Sequence, residues 1–501
     1  MTSTVDLDVA SHEPSDPNTG TAPRRWRSRV ITTVLIGVLA ASMVAMFLPL
    51  KPQVIGVTAI VMMVVMLLLR VPVAVTMIVP SLLGMYAIRG ERTVVSAFAD
   101  LPYGEVSSWT LSVVPMFVLM GLLLWKSGLT VTLFDAARMW LGWLPGGLAV
   151  GSNVAGSGLA AISGSTISTT YAVGRMAIPE MLKEGYDRRM AIGAVIVSGL
   201  PGQLIPPSIM LVLYAGIAEV PVGQQLLAGI GPGILVAILF TIMIVLFAKF
   251  VPSLVGRPGV EKVSVSYTWR QRFTAVAQTW PVPVLILIIV GGMFSGMFTA
   301  TEAGAVAALA SVCVVLIWKR RTGGAWRAVT EASVATVSAV GSIFLLLIGV
   351  AALSRMMTLT GISTGFADLI ATMDLGRIEF LLLMMIVFLV LGAFMEPLPA
   401  MVLTVPILIP TLEALDISLL WYGVFVVFMG ELAMVAPPVG VLAMIIHGIC
   451  RDPQVNLGQR ITLKDVFVAA GYFLPMAIIV ALVLIFFPEI ATFLPSRSAG
   501  N

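Results

Sequence analysis

The sequence predicts an all-α polytopic membrane protein made of two inverted repeats, each carrying a re-entrant helical hairpin and a broken helix. Three observations predict it. Hydrophobic residues make up 59% of the 501-residue chain and charged residues only 11%, against roughly 25% charged in a soluble domain. Lys and Arg divide very unevenly when the chain is traced to and fro across a bilayer. Gly and Pro interruptions recur in matching places a fixed distance apart.

Apolar runs account for the first observation. A helix needs about 17–25 apolar residues to cross a bilayer, and apolar centres lie at 30–50, 108–124, 226–247, 285–298, 303–318, 334–353, 380–394 and 466–487. Residues 1–29 read as a disordered cytoplasmic tail, polar up to Pro23 and then basic at Arg24, Arg25, Arg27 and Arg29. Residues 30–50 follow as an extra N-terminal transmembrane helix, since the run exceeds a signal-peptide core and no small-x-small cleavage site follows. Two cysteines, Cys313 and Cys450, read as buried structural thiols. Two histidines, His12 and His447, cannot form a histidine-rich metal centre, and no G-x-x-x-x-G-K-[ST] loop is present to hold ATP phosphates. A net charge of +4 calls for no nucleic-acid partner, because a basic cytoplasmic face already explains it.

The charge map comes from an alternating trace with a cytoplasmic N-terminus and a periplasmic C-terminus. It puts 22 of the 29 Lys and Arg on the cytoplasmic side and 5 outside, with Arg175 and Arg355 at membrane level. The trace closes only if two stretches enter and leave by the same side: about 144–181 from the cytoplasm and about 379–412 from outside. Irregular backbone at membrane depth survives only inside protein or beside a wet cavity, so these are read as re-entrant hairpins. A shift of 231 residues pairs Pro179 with Pro410, Gly199 with Gly430, Pro206 and Pro207 with Pro437 and Pro438, and Ser165 with Glu396. The repeats are accordingly set at 53–250 and 281–490, with a cytoplasmic connector at 251–280 and a C-terminal tail at 491–501. Matching breaks in oppositely oriented halves are the pattern of a secondary transporter with a midplane site.

The candidate site residues follow. "LAAISGSTIST" (159–169) gathers hydroxyl residues inside an apolar stretch. Ser163, Ser165, Thr166 and the carbonyls freed around Gly164 offer oxygens to a small hard cation or to an anionic substrate head. Their other use is back-bonding to helix carbonyls or close helix packing. Pro206–Pro207 in "LIPPSI" and Pro437–Pro438 in "VAPPVG" either split their helices, freeing carbonyls, or kink them for packing. Glu396 in "LVLGAFMEPLP" is either a substrate or coupling-ion ligand or a paired interfacial carboxylate. Arg355 either clamps a substrate carboxylate or snorkels to the outer interface. Glu302 and Glu431 are further acids at membrane level, Glu302 read as fixing helix packing.

Several long stretches, "SGSTISTTYAVGRMAIPEMLKEGYDRRMAIGAVIVSGLPGQLIPPSIM", "GMFTATEAGAVAAL", "GAFMEPLPAMVLTVPILIPTLEALDIS" and "MGELAMVAPPVGVLAMIIHGI", closely resemble the large (DctM-like) membrane subunit of tripartite ATP-independent periplasmic, or TRAP, transporters. The resemblance covers about residues 53–490. It implies an elevator-type permease in the bacterial inner membrane, importing a small organic acid, mostly carboxylates, with Na⁺ as coupling ion and no other cofactor. It implies two partners: a small four-helix membrane subunit (DctQ-like), expected as a separate chain, and a periplasmic substrate-binding protein (DctP-like). Mapped onto this chain, the resemblance puts Na⁺ near Ser163, Ser165 and Thr166 and near Pro437 and Gly440. The substrate then lies between the hairpin tips, Gly164 and Glu396, and the breaks at Pro206, Pro207, Pro437 and Pro438. Glu396 stands where the family often has Asp, and residues 30–50 resemble the connecting helix of versions fused to the small subunit. The rival readings are a dicarboxylate:Na⁺ symporter working without a binding protein and, from another class, a membrane enzyme or proton-channel subunit. The latter lacks a nucleophile–base pair and the file of Lys, Glu and His that a proton relay needs.

Overall fold

The computed structural model describes residues 22–256, 267–320, 323–392, 395–436 and 440–498, and among them every regular element is a helix. The first half holds α1 (Ala22–Ala45), α2 (Pro52–Leu68), α3 (Val73–Arg89), α4 (Glu91–Val106), α5 (Val113–Ser127) and α6 (Leu129–Leu141). It continues with α7 (Gly147–Ser163), α8 (Thr166–Lys183), α9 (Arg188–Ser198), α10 (Ile209–Ile217) and α11 (Val222–Phe250). The second half holds α12 (Trp269–Gln278), α13 (Pro281–Phe294), α14 (Ala300–Trp318), α15 (Ala325–Thr360) and α16 (Ile362–Thr372). After these come α17 (Arg377–Gly392), α18 (Pro397–Ala414), α19 (Leu419–Ala433), α20 (Val441–Ile449), α21 (Pro453–Asn456), α22 (Leu463–Phe486) and α23 (Glu489–Ser498).

Among the described residues six helical segments are long and apolar enough to cross a membrane: 110–127, 222–250, 300–318, 325–360, 397–414 and 463–486. In lipid a spanning helix bonds all its backbone groups internally, which is why long apolar runs and helices coincide here. The 231-residue displacement reappears in the elements. It carries α8 onto α18 residue for residue, the start of α9 onto the start of α19, and the start of α10 to one residue before α20.

Packing separates two regions. A continuous apolar cluster joins α5, α7–α11, α17–α20 and α22, with Phe240, Trp421, Phe425 and Phe473 fully buried within it. Around it α2, α3 and α15 form a second, methionine-rich cluster: Met62, Met63, Met66, Met77, Met85, Met356 and Met357, which reaches α18 at Val402 and Leu403. On the outer helices large apolar side chains turn away from the protein: Leu287 is 70% exposed, Leu309 67%, Val334 72% and Val337 74%. In water such a surface would be an aggregation hazard. Against lipid it is the expected exterior.

Three expected boundaries shift. The N-terminal helix starts at Ala22, not residue 30, so part of the expected tail is helical; no proline follows Pro23 to stop it, and Arg, Trp and Ala extend a helix readily. Within the expected connector, α12 is a helix opened by a capping box between Thr268 and Gln271 and bent 52° from α13. It packs on α6, where Trp140 Nε1 donates to the Arg272 carbonyl at 3.0 Å and Trp140 meets Trp269 and Phe273 edge-on. The expected C-terminal tail forms α23, seated on α11 where a Cβ on Gly231 would run into the Ile490 carbonyl oxygen. Cys313 is exposed, against expectation, while Cys450 is buried; Cys313 lies on the outer helix α14, whose apolar side chains face away from the protein.

Candidate functional site

The hydroxyl-rich stretch turns out to be a helix stop followed at once by a helix start. Gly164 ends α7 in the left-handed region at φ 62°, which an L-residue with a Cβ occupies only at a cost of roughly 1–2 kcal/mol. Ser165 then takes up extended backbone and caps α8, its Oγ accepting from the Ser168 N–H at 3.2 Å. Ser163 Oγ lies 3.2 Å from Thr169 Oγ1. Two of the three proposed hydroxyl ligands therefore also serve the turn itself, and the third, Thr166, points elsewhere. The result is a tight helical hairpin, α7 against α8.

Both broken helices close around this tip. In the first, α9 ends near Gly199, a short 3₁₀ turn spans Pro201–Gln203, and α10 starts after Pro207 with Ser208 as its cap, accepting from the Leu211 N–H at 3.2 Å. Pro206 and Pro207 are both buried in the break. A Cβ on Gly199 would come 2.8 Å from Thr166 Cγ2, and one on Gly164 would come 2.7 Å from Ile209 Cδ1. The missing side chains let the hairpin tip settle against both ends of the split helix. Beneath it, a Cβ on Gly121 of α5 would lie 2.8 Å from the Ile162 carbonyl oxygen.

The second broken helix reaches the same tip through a side chain. Thr166 Oγ1 donates to Glu431 Oε2 at 2.6 Å, across 265 residues of sequence. Both residues are buried, Thr166 at 2% exposure and Glu431 at 3%. One residue earlier, Gly430 receives the start of the second hairpin: a Cβ there would fall 2.8 Å from Pro397 Cβ. The arm before that tip is seated alike, with a Cβ on Gly392 running into Ala433 Cβ. Both hairpins thus converge on the last turn of α19.

The remaining candidates divide. Glu396 is exposed, caps α18 without a side-chain bond and sits one residue before the Pro397 contact. Gly440 is buried and starts α20 in the left-handed region at φ 49°, while the Leu442 N–H donates to the Met434 carbonyl across the break at 3.3 Å. Pro437 and Pro438 lie outside the described residues. Arg355 is half-buried on α15, between Leu353 and Met356, which pack in the methionine-rich cluster; it makes no ion pair with a described residue and is not among the tip contacts. Glu302 closes a capping box with Thr299 at the start of α14, away from the tips. His447 lies on α20 with a buried Nδ1 that no described residue bonds. Among the described residues no group of three or more His, Cys, Asp or Glu could hold a metal.

Glu431 is the residue whose position sequence reasoning did not exploit. Its signal was present, a lone acid in "VFVVFMGELAMVAP", but its partner sits in the other half of the chain.

Comparison with known proteins places this geometry in context. Residues 60–490 match the family model described as the DctM component of the tripartite ATP-independent periplasmic transporter. The chain is 29% identical over 454 residues to the C4-dicarboxylate TRAP transporter large permease protein DctM of Vibrio cholerae, covering 87% of this chain and 96% of that protein. It is 27% identical over 430 residues to the ectoine TRAP transporter large permease protein TeaC of Halomonas elongata, covering 86% and 96% respectively. Its fold is similar to the crystal structure of the Alcanivorax borkumensis YdaH transporter, with a TM-score of 0.57 over 80% of this chain and 90% of that one, at 16% identity.

Proposed function

The chain belongs to the DctM-component family of tripartite ATP-independent periplasmic transporters, and from that premise we propose that it is the permease subunit of a Na⁺-driven importer of a small carboxylate. The relatives carry C4-dicarboxylates and ectoine by name, which share a small size and a carboxylate. A soluble periplasmic protein delivers the substrate, and a separate four-helix subunit completes the scaffold. The chain sits in the inner membrane with its N-terminus in the cytoplasm.

The observation that carries this reading is the meeting of both hairpins on one turn: Thr166 bonded to Glu431 and Pro397 seated on Gly430. Helix ends that meet away from lipid present unsatisfied carbonyls and N–H groups to a common space. The halves run in opposite directions, and the hairpins enter the bilayer from opposite faces. Na⁺ binds near Ser163, Ser165 and Thr166 and, in the other half, near Gly440 and Pro437. The carboxylate lies between the tips, beside Glu396. A core of α7–α10 and α17–α20 then moves as one body against α2, α3, α13–α15 and the small subunit. The lubricating layer is the methionine-rich cluster, since Met packs adaptably.

The test is uptake of labelled C4-dicarboxylate and of labelled ectoine into proteoliposomes holding both membrane subunits, with the matching binding protein outside. An inward Na⁺ gradient is expected to drive uptake of one of them. Ser165→Ala and Glu396→Ala are expected to lower it without affecting membrane insertion, and wild-type rates in both variants remove those residues from the site. Uptake that persists without any binding protein instead supports the simpler dicarboxylate:Na⁺ symporter.

A further inference from the structure

We propose that Glu431 supplies the negative charge of a cation site at the first hairpin tip, binding Na⁺ together with the Thr166 hydroxyl. The identity of the ion rests on the Na⁺-coupled reading above; the need for a countercharge whenever the group is ionised rests on the geometry. Glu431 is 3% exposed and lies in α19, surrounded on its own helix by the buried Phe428, Met429, Leu432 and Ala433. A carboxylate has about four acceptor positions, and the described residues fill one of them, through Thr166 at 2.6 Å. None of the eight ion pairs among the described residues involves Glu431. Asp465, equally buried, does have such partners: it lies 3.0 Å from Arg188 and 3.4 Å from Arg189.

An isolated buried carboxylate without countercharge is very expensive, and membrane interiors raise that cost further. Burial therefore points to a partner that side chains do not provide. The hydroxyl oxygens of the first tip are the ligand type that a hard cation takes. Thr166 Oγ1 is already in contact, Ser163 Oγ and Thr169 Oγ1 lie in the same tip, and Gly199, by lacking a side chain, lets Thr166 approach closely.

The site also supplies a coupling rule. With Na⁺ bound, the carboxylate and ion are neutral together, and the core crosses the bilayer without net charge at this point. Without Na⁺, the bare carboxylate would have to be moved through a low-dielectric interior, so the empty core stays put. Glu396 is exposed and so lacks the burial that makes a bare charge at Glu431 costly.

The experiment needs no substrate. The full-length chain in detergent is heated in NaCl or in choline chloride at equal ionic strength, and ²²Na⁺ binding is measured in parallel. Wild type is expected to be stabilised by Na⁺ selectively. E431Q, which keeps shape and hydrogen bonding but drops the charge, is expected to weaken the apparent Na⁺ affinity at least tenfold, and E431D to retain a response at higher Na⁺. An E431Q midpoint within twofold of wild type overturns the assignment while leaving Na⁺ coupling intact. A wild type indifferent to Na⁺ overturns the coupling reading itself, and the Na⁺ assignment with it. If E431Q does not fold, T166V carries the same test, and an unchanged midpoint overturns the proposal.

Discussion

The two hairpins fill corresponding places in the two halves, yet their tips are built on opposite principles. The first tip turns through a left-handed glycine and two serines, and its hydroxyls are spent on the turn and on Glu431. The second starts α18 from a proline, leaves the Glu396 side chain exposed and without a bond to any described residue, and gains its position from packing on Gly430 and Ala433. The first tip adds side-chain hydrogen bonds to close packing, whereas the second, among the described residues, rests on packing. The difference teaches that matching topology does not require matching chemistry. The first tip spends its hydroxyls inside the protein, while the second keeps its carboxylate exposed.

That comparison breaks most readily at the packed tip. Gly392→Val would push a Cβ into Ala433, a position with no flexible side chain to yield. Overpacking of this kind costs about 3 kcal/mol at the upper end of its usual range. A large drop in the thermal midpoint of the purified chain is expected, and a midpoint equal to wild type would mean that α17 does not rest on α19. The bonded tip should respond less. Thr166→Val keeps the shape but leaves the Glu431 oxygen without its donor, a loss of about 2 kcal/mol. Thr166→Ser restores the hydroxyl and should recover most of it in the same melting experiment. Equal midpoints for the valine and serine variants would show that the 2.6 Å contact carries no weight.

The sequence made the arms of both hairpins legible because punctuation is local. Gly164, Ser165 and Pro397 act on the backbone within a residue or two, so a stop or a start can be read where it is written. The same holds for the breaks around Pro206–Pro207. Glu431 was visible as an acid in an apolar run, but its meaning depends on Thr166, 265 residues away, and no periodicity encodes such a contact. Arg355 shows the opposite limit: its charge stood out in the sequence, while the neighbours that place it beside the methionine-rich cluster come from α2, α3 and α18. Helices α12 and α23 lie largely within the expected connector and tail; each is short, and a short helix owes its stability to what it docks on. For α12 that support is Trp140 of α6.

The smallest expected effect separates the two jobs of the first tip. Ser165 both caps α8 and stands among the proposed ion ligands. Ser165→Ala removes the acceptor for the Ser168 N–H, a cap loss of about 1 kcal/mol. Ser165→Asp keeps an acceptor at the cap but adds a second negative charge near Glu431. If Ser165 is only a cap, Asp should match wild type both in melting temperature and in Na⁺-driven uptake. If it also ligates the ion, Asp should restore the melting temperature lost in Ala while uptake stays abnormal, because geometry and charge at the ion have changed. Measuring both quantities on both variants distinguishes a tip that merely holds its shape from one whose shape exists to hold a cation.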